Sequence, residues 1–140
     1  MQHVQTRSTT SALVLTAVLI ALATLFTMYT KIPVPGIRGY FNVGDVVIMT
    51  SALLLGRKYG AYIGAIGPAL ADLFLGYAVF VPITFVVKGI EGYLVGTVYN
   101  NKTTTSALVA TIVGGIIIVA GYFIAEYFVF DPGVAIASIV

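Results

Sequence analysis

The chain has no cysteine, no tryptophan and a single histidine. Without cysteine there is no disulfide, no Cys-ligated zinc and no thiol nucleophile. The one histidine, His3, sits near the N-terminus, which argues against histidine-centred catalysis. Charge is equally scarce. Only 9% of the 140 residues are charged, while 59% are hydrophobic and the mean hydropathy is +1.05. A soluble domain carries about 25% charged residues, and a soluble core of this size cannot hide such an apolar excess. An integral membrane protein is expected, with one domain over residues 1–140 and an all-α, polytopic helical bundle as its fold. The net charge of +2 contains no basic run, so no nucleic-acid partner is implied. No G-x-x-x-x-G-K-[ST] loop occurs either, so any ATP-driven step belongs to a partner.

What is present is a series of apolar runs. SALVLTAVLIALATLFTMYT, residues 11–30, is uncharged and long enough to cross a hydrocarbon core of about 30 Å. A signal peptide is the rival reading, but the apolar run continues past its small-residue cleavage candidate, and more spans follow. Ala17 and Ala21 make a small-xxx-small pair suited to helix docking in lipid. KIPVPGIRGYFNVGD, residues 31–45, reads as a loop with fixed turns. A second, short segment runs over roughly 46–55. The third, residues 60–77, places Gly60, Gly64, Gly67 and Ala71 on one helical stripe. Ile63, Ile66, Leu70, Leu73 and Phe74 fall on the other side, so a packing face and a lipid face are expected. Pro68 is a candidate kink in it. A fourth segment covers 81–99 and a fifth 106–130. GVAIASIV then begins something apolar that is too short to span, so a chain truncated within a sixth helix is expected.

Orientation follows the loop lysines and arginines. With the N-terminus inside, the inner side carries Arg7, Arg57, Lys58 and Lys102, and the outer side only Lys31 and Arg38. The N-terminus is therefore expected in the cytoplasm of a cell-membrane protein.

Segment four contains FVVKGIEGYLVG, residues 85–96. On a helical wheel Thr84, Lys88, Glu91, Gly92, Val95 and Tyr99 share one half, so the charges face the bundle. A charge at the bilayer centre costs at least about 2.5–3.5 kcal/mol on insertion scales. Two readings compete. In one, Lys88 pairs with Glu91 at i,i+3 or with Asp72 across the hairpin, and the pairing is purely structural. In the other, Lys88, Glu91 and Asp72 line a polar ligand pocket. A proton relay through Asp72, Glu91 and Glu126 is a third option. The loop adds Tyr40, Phe41, Asn42 and Asp45, which either bind a ligand or serve as an aromatic belt and a helix cap. Tyr122 and Glu126 lie at i,i+4 near the end of segment five, as ligand contacts or interfacial anchors.

Three pieces of residues 39–96 resemble a known family: Phe41-Asn42-Val43-Gly44-Asp45, Ala69-Leu70-Ala71-Asp72-Leu73 and Lys88-Gly89-Ile90-Glu91-Gly92. They are similar to the substrate-binding S components of energy-coupling factor (ECF) vitamin transporters, in the riboflavin-type subgroup. The resemblance extends more loosely over residues 11–130. It implies a six-helix membrane protein that captures a water-soluble vitamin near its outer face, catalyses no bond chemistry and needs no cofactor of its own. Riboflavin ranks first as cargo, then pyridoxine or hydroxymethylpyrimidine. With no tryptophan, Tyr40, Phe41 and Tyr77 would have to stack on a flavin. The resemblance further implies a loop acting as a lid, docking through Ala17 and Ala21 on a transmembrane coupling subunit, and two ATPase subunits that supply energy. The alternatives are a helical scaffold subunit without a ligand and a proton-coupled transporter working alone.

Overall fold

The computed structural model describes residues 9–33 and 40–129. Five helices run through them: α1 (Thr9–Tyr29), α2 (Val43–Leu55), α3 (Arg57–Phe74), α4 (Phe80–Val98) and α5 (Thr104–Val129). The fold is the expected all-α membrane bundle. The lengths of α1, α4 and α5 and their apolar composition suit them to cross a bilayer. Residues 130–140, where a sixth segment was expected to begin, lie outside the described residues.

The stretch read as a loop contains a small ladder. β1 (Lys31–Pro33) pairs antiparallel with β2 (Tyr40–Asn42), with Ile32 opposite Phe41. Ile, Tyr and Phe favour extended backbone, and Pro33 is tolerated because a two-stranded ladder has only edge strands. Turn residues between the two strands masked that pairing in the sequence.

α2 starts earlier than its apolar run implied. Asn42 has an extended backbone and its side-chain oxygen accepts from the Gly44 N–H at 2.8 Å, so Asn42 is the N-cap. Asp45 then falls in the first turn, where the helix dipole favours a negative charge. With 13 residues α2 is about 20 Å long, short of a full crossing. Gly56, at φ 95°, ends it and turns the chain directly into α3.

α3 is the hub, packed against α1, α2 and α4. Its small-residue stripe is buried as expected. Ile63 is a correction: it belongs to the core with Ala23 and Ile48 instead of facing lipid. A helix enclosed by three neighbours has no room for a wide lipid face, and only Leu73 and Phe74 of the expected set are exposed. The helix runs unbroken through Pro68. Thr24 of α1 donates to the Gly67 carbonyl at 3.0 Å and ties the two helices together.

α3 and α4 touch backbone to backbone. A Cβ on Gly92 would lie 2.0 Å from the Gly60 carbonyl oxygen, so only glycine fits there. A second core cluster, Ala52, Val95 and Ala110, joins α2, α4 and α5. On α4 the expected wheel holds: Thr84, Lys88, Glu91, Gly92 and Val95 are buried, while Val86 and Ile90 are exposed.

Candidate functional site at one end of the bundle

The polar residues gather at one end. The helices alternate in direction, so the start of α2, the end of α3, the first half of α4 and the end of α5 meet there. The contacts confirm the meeting. Lys88 of α4 bonds through its ammonium to the Asp45 carboxylate of α2. The same ammonium lies 3.2 Å from Oε2 of Glu91 on its own helix. It also sits 5.9 Å from the centre of the Tyr122 ring on α5, within cation–π reach.

A second group lies one turn nearer the helix ends. Thr84 of α4 donates to Oδ2 of Asp72 on α3 at 2.5 Å, and its hydroxyl oxygen is 3.0 Å from the Tyr122 hydroxyl. Thr84 has one proton and gives it to Asp72, so the Tyr122 hydroxyl donates to Thr84. Tyr122 thus links the two groups, its ring against Lys88 and its hydroxyl against Thr84.

Burial makes these charges costly. Glu91 is 0% exposed and Lys88 5%, and Asp72 is also buried. The Asp45 side chain is 21% exposed, more than those of Lys88 and Glu91. One ammonium serves two carboxylates, and Oε1 of Glu91 is buried without a hydrogen-bond partner.

The anticipated Lys88–Glu91 contact is present. The alternative pairing of Lys88 with Asp72 is not. Asp72 is level with Thr84, one turn from Lys88, and takes its hydrogen bond from that threonine. Asp45, 43 residues away in the chain, fills the place at Lys88. No periodicity could have found that contact, because all of α3 separates α2 from α4 in the sequence. Thr84 was visible on the wheel of α4, but its bond to Asp72 was not anticipated.

Asn42 caps α2 beside the cluster. Tyr40 lies in β2, and its side chain is outside the described residues. Glu126 is one turn beyond Tyr122, with Oε2 buried and without a hydrogen-bond partner. Ala17 and Ala21 are exposed on α1, away from its buried face of Thr16, Ala23, Thr24 and Thr27. Beside them lies a shallow groove of about 440 Å³, lined by Thr10, Ser11, Val14, Leu15 and Val18. Among the described residues no group of three or more His, Cys, Asp or Glu side chains could hold a metal ion.

A helical bundle in lipid with an ionic cluster buried at one end defines a multi-pass membrane protein built around a polar centre. The comparisons with known proteins make that class specific. The family described as "ECF-type riboflavin transporter, S component" matches residues 7–140, and the chain belongs to it. The family is one of transporter subunits, and membership implies a vitamin-type substrate and other ECF subunits as partners. A relative from Lactococcus lactis subsp. cremoris, the thiamine precursor transporter HmpT, is 32% identical over 126 residues, covering 89% of this chain and 69% of the relative. An uncharacterized protein from Pyrococcus woesei is 42% identical over 118 residues, covering 82% of this chain and 78% of that one.

Proposed function

We propose that the chain is the capture subunit of an ATP-driven uptake system for a small water-soluble vitamin or vitamin precursor in the cell membrane. The family description supports riboflavin, and the Lactococcus relative supports a thiamine precursor. Pyridoxine is the third member of the panel. The observation that carries the reading is the buried Lys88–Asp45–Glu91 cluster, in which Asp45 is the most exposed member. Ligand sites are concave, with apolar walls and a few placed polar groups. Asn42, Asp45, Asp72, Lys88, Glu91, Tyr122 and Glu126 supply such groups here, with Tyr40 on the adjoining ladder.

In this reading the N-terminus is cytoplasmic and the cluster opens outward. The protein uses no cofactor of its own. A transmembrane coupling subunit docks on α1 at Ala17 and Ala21, and two ATPase subunits supply the energy. The rival reading is a scaffold in which the three charges only hold helices together.

Mass spectrometry of small molecules retained by the protein, purified gently in detergent, separates the two. The expected result is one stoichiometric flavin, pyridoxine-like or pyrimidine compound. No retained compound, and no thermal shift with a vitamin panel, favours the scaffold.

A further inference from the structure

The end of the bundle away from the ionic cluster carries charge of one sign. Arg57 and Lys58 open α3, Lys102 stands in the turn between α4 and α5, and all three are exposed. Among the described residues no carboxylate pairs with any of them, since the ion pairs join Lys88 to Asp45 and Glu91. The described carboxylates, Asp45, Asp72, Glu91 and Glu126, belong to the cluster or lie beside it. Nothing in the local helix calls for two cations at the start of α3. The first turn of a helix disfavours positive charge, and α3 has no acidic residue there to offset it. Arg57 is also held in place. A Cβ on Gly96 would lie 2.5 Å from the Arg57 Cα, so α4 leaves room for α3 to begin against it. The guanidinium of Arg57 lies over the Tyr93 ring of α4, 5.6 Å from its centre and within cation–π reach. Tyr93 is itself exposed, and so is Tyr62 of α3. Each stands five residues from the helix end on that side, about 7–8 Å inward. Tyrosines at that depth mark the boundary between hydrocarbon and headgroups.

We propose that this end of the bundle binds anionic phospholipid. Arg57, braced on Tyr93, and Lys58 hold a headgroup phosphate, and Lys102 adds attraction from the neighbouring turn. A guanidinium meets two phosphate oxygens at once, and a lysine acts as a point charge. A zwitterionic headgroup brings its own cation beside the phosphate and satisfies three unpaired cations poorly. An acidic protein segment could also neutralise them, but bilayer phosphates already lie just beyond the level of Tyr62 and Tyr93. With the proposed cytoplasmic N-terminus, this end meets the inner leaflet, whose surface is negative. The inference does not rest on the vitamin-capture reading, and either can fail without the other.

The test is native mass spectrometry of the full chain, released from micelles holding equal amounts of phosphatidylglycerol and phosphatidylcholine with the same acyl chains. The expected result is phosphatidylglycerol retained in excess, with the excess shrinking as salt is raised, because exposed charges are screened. Arg57→Gln and Lys58→Gln should each cut the excess about fivefold, the worth of one basic residue at an anionic surface. Tyr93→Leu keeps the charge and removes the brace, so it should cut the excess by less. Both cations are exposed, so the variants are expected to fold, and melting curves check this. The salt series on the unaltered protein tests the inference without any variant. Equal retention of the two lipids overturns it, as does a preference that salt leaves unchanged or that the double variant Arg57→Gln/Lys58→Gln keeps in full. Equal retention together with loss of co-purifying ECF subunits in the double variant would assign the patch to a protein partner instead.

Discussion

At the scale of single residues, the question is what a lysine does inside a membrane protein. Lys88 answers it with three neighbours: two carboxylates and the face of Tyr122. Removing one partner of a buried ion pair costs about 3–5 kcal/mol, because the other charge stays behind. Lys88→Met leaves Asp45 and Glu91 facing each other and should lower the melting temperature of the empty protein sharply. Adding Asp45→Asn and Glu91→Gln to Lys88→Met removes the stranded charges and should recover much of that loss. A triple variant no more stable than Lys88→Met would mean that the ion pairs are not what Lys88 contributes. The inward aim of Lys88 and Glu91 was legible from the spacing of α4, and so was their contact. The identity of the third partner was not, since Asp45 had an equally good local explanation as a helix-capping residue. Asn42 turned out to fill that role.

At the scale of elements, glycine decides how α3 and α4 pair. Gly60 and Gly92 meet with no side chain between them, and the Lys88 carbonyl lies where a Cβ on Gly64 would stand, 2.2 Å away. This contact sets the height at which α4 presents Lys88 to α2. Gly92→Ala must push the helices apart, and overpacking of this kind costs about 1–3 kcal/mol. The expected outcome is a lower folded yield in detergent. Gly115→Ala, where a Cβ meets nothing within 4 Å, should leave the yield unchanged. Equal yields for the two variants would contradict the close packing of α3 on α4. The small-residue stripe of α3 was readable at 100° per residue, and its burial followed. The outward placing of Ile63 failed for a definite reason. A helix wheel assumes one packed face, and α3 has neighbours on three sides. The ladder of β1 and β2 was hidden for the opposite reason, because three-residue strands leave too short a pattern to stand out among turn residues.

At the scale of the whole molecule, the chain has two separate surfaces to use. The ionic cluster occupies one end, and Ala17 and Ala21 lie exposed along α1. If the alanines dock a coupling subunit, Ala21→Leu should leave vitamin binding to the isolated protein unchanged. The same variant should abolish co-purification with the coupling subunit and uptake into cells. Loss of binding in Ala21→Leu would instead tie α1 to the ligand site. The length of α2 has a further consequence. At about 20 Å it falls roughly 10 Å short of the hydrocarbon thickness around it, and Val46 and Leu54 on its outer side are exposed. Lipid beside a short span thins to match it. Were the bilayer to thin on the Asp45 side, headgroups and water would come closer to the buried charges. Acyl-chain length in the host bilayer would then be a variable that acts on Lys88 without touching it.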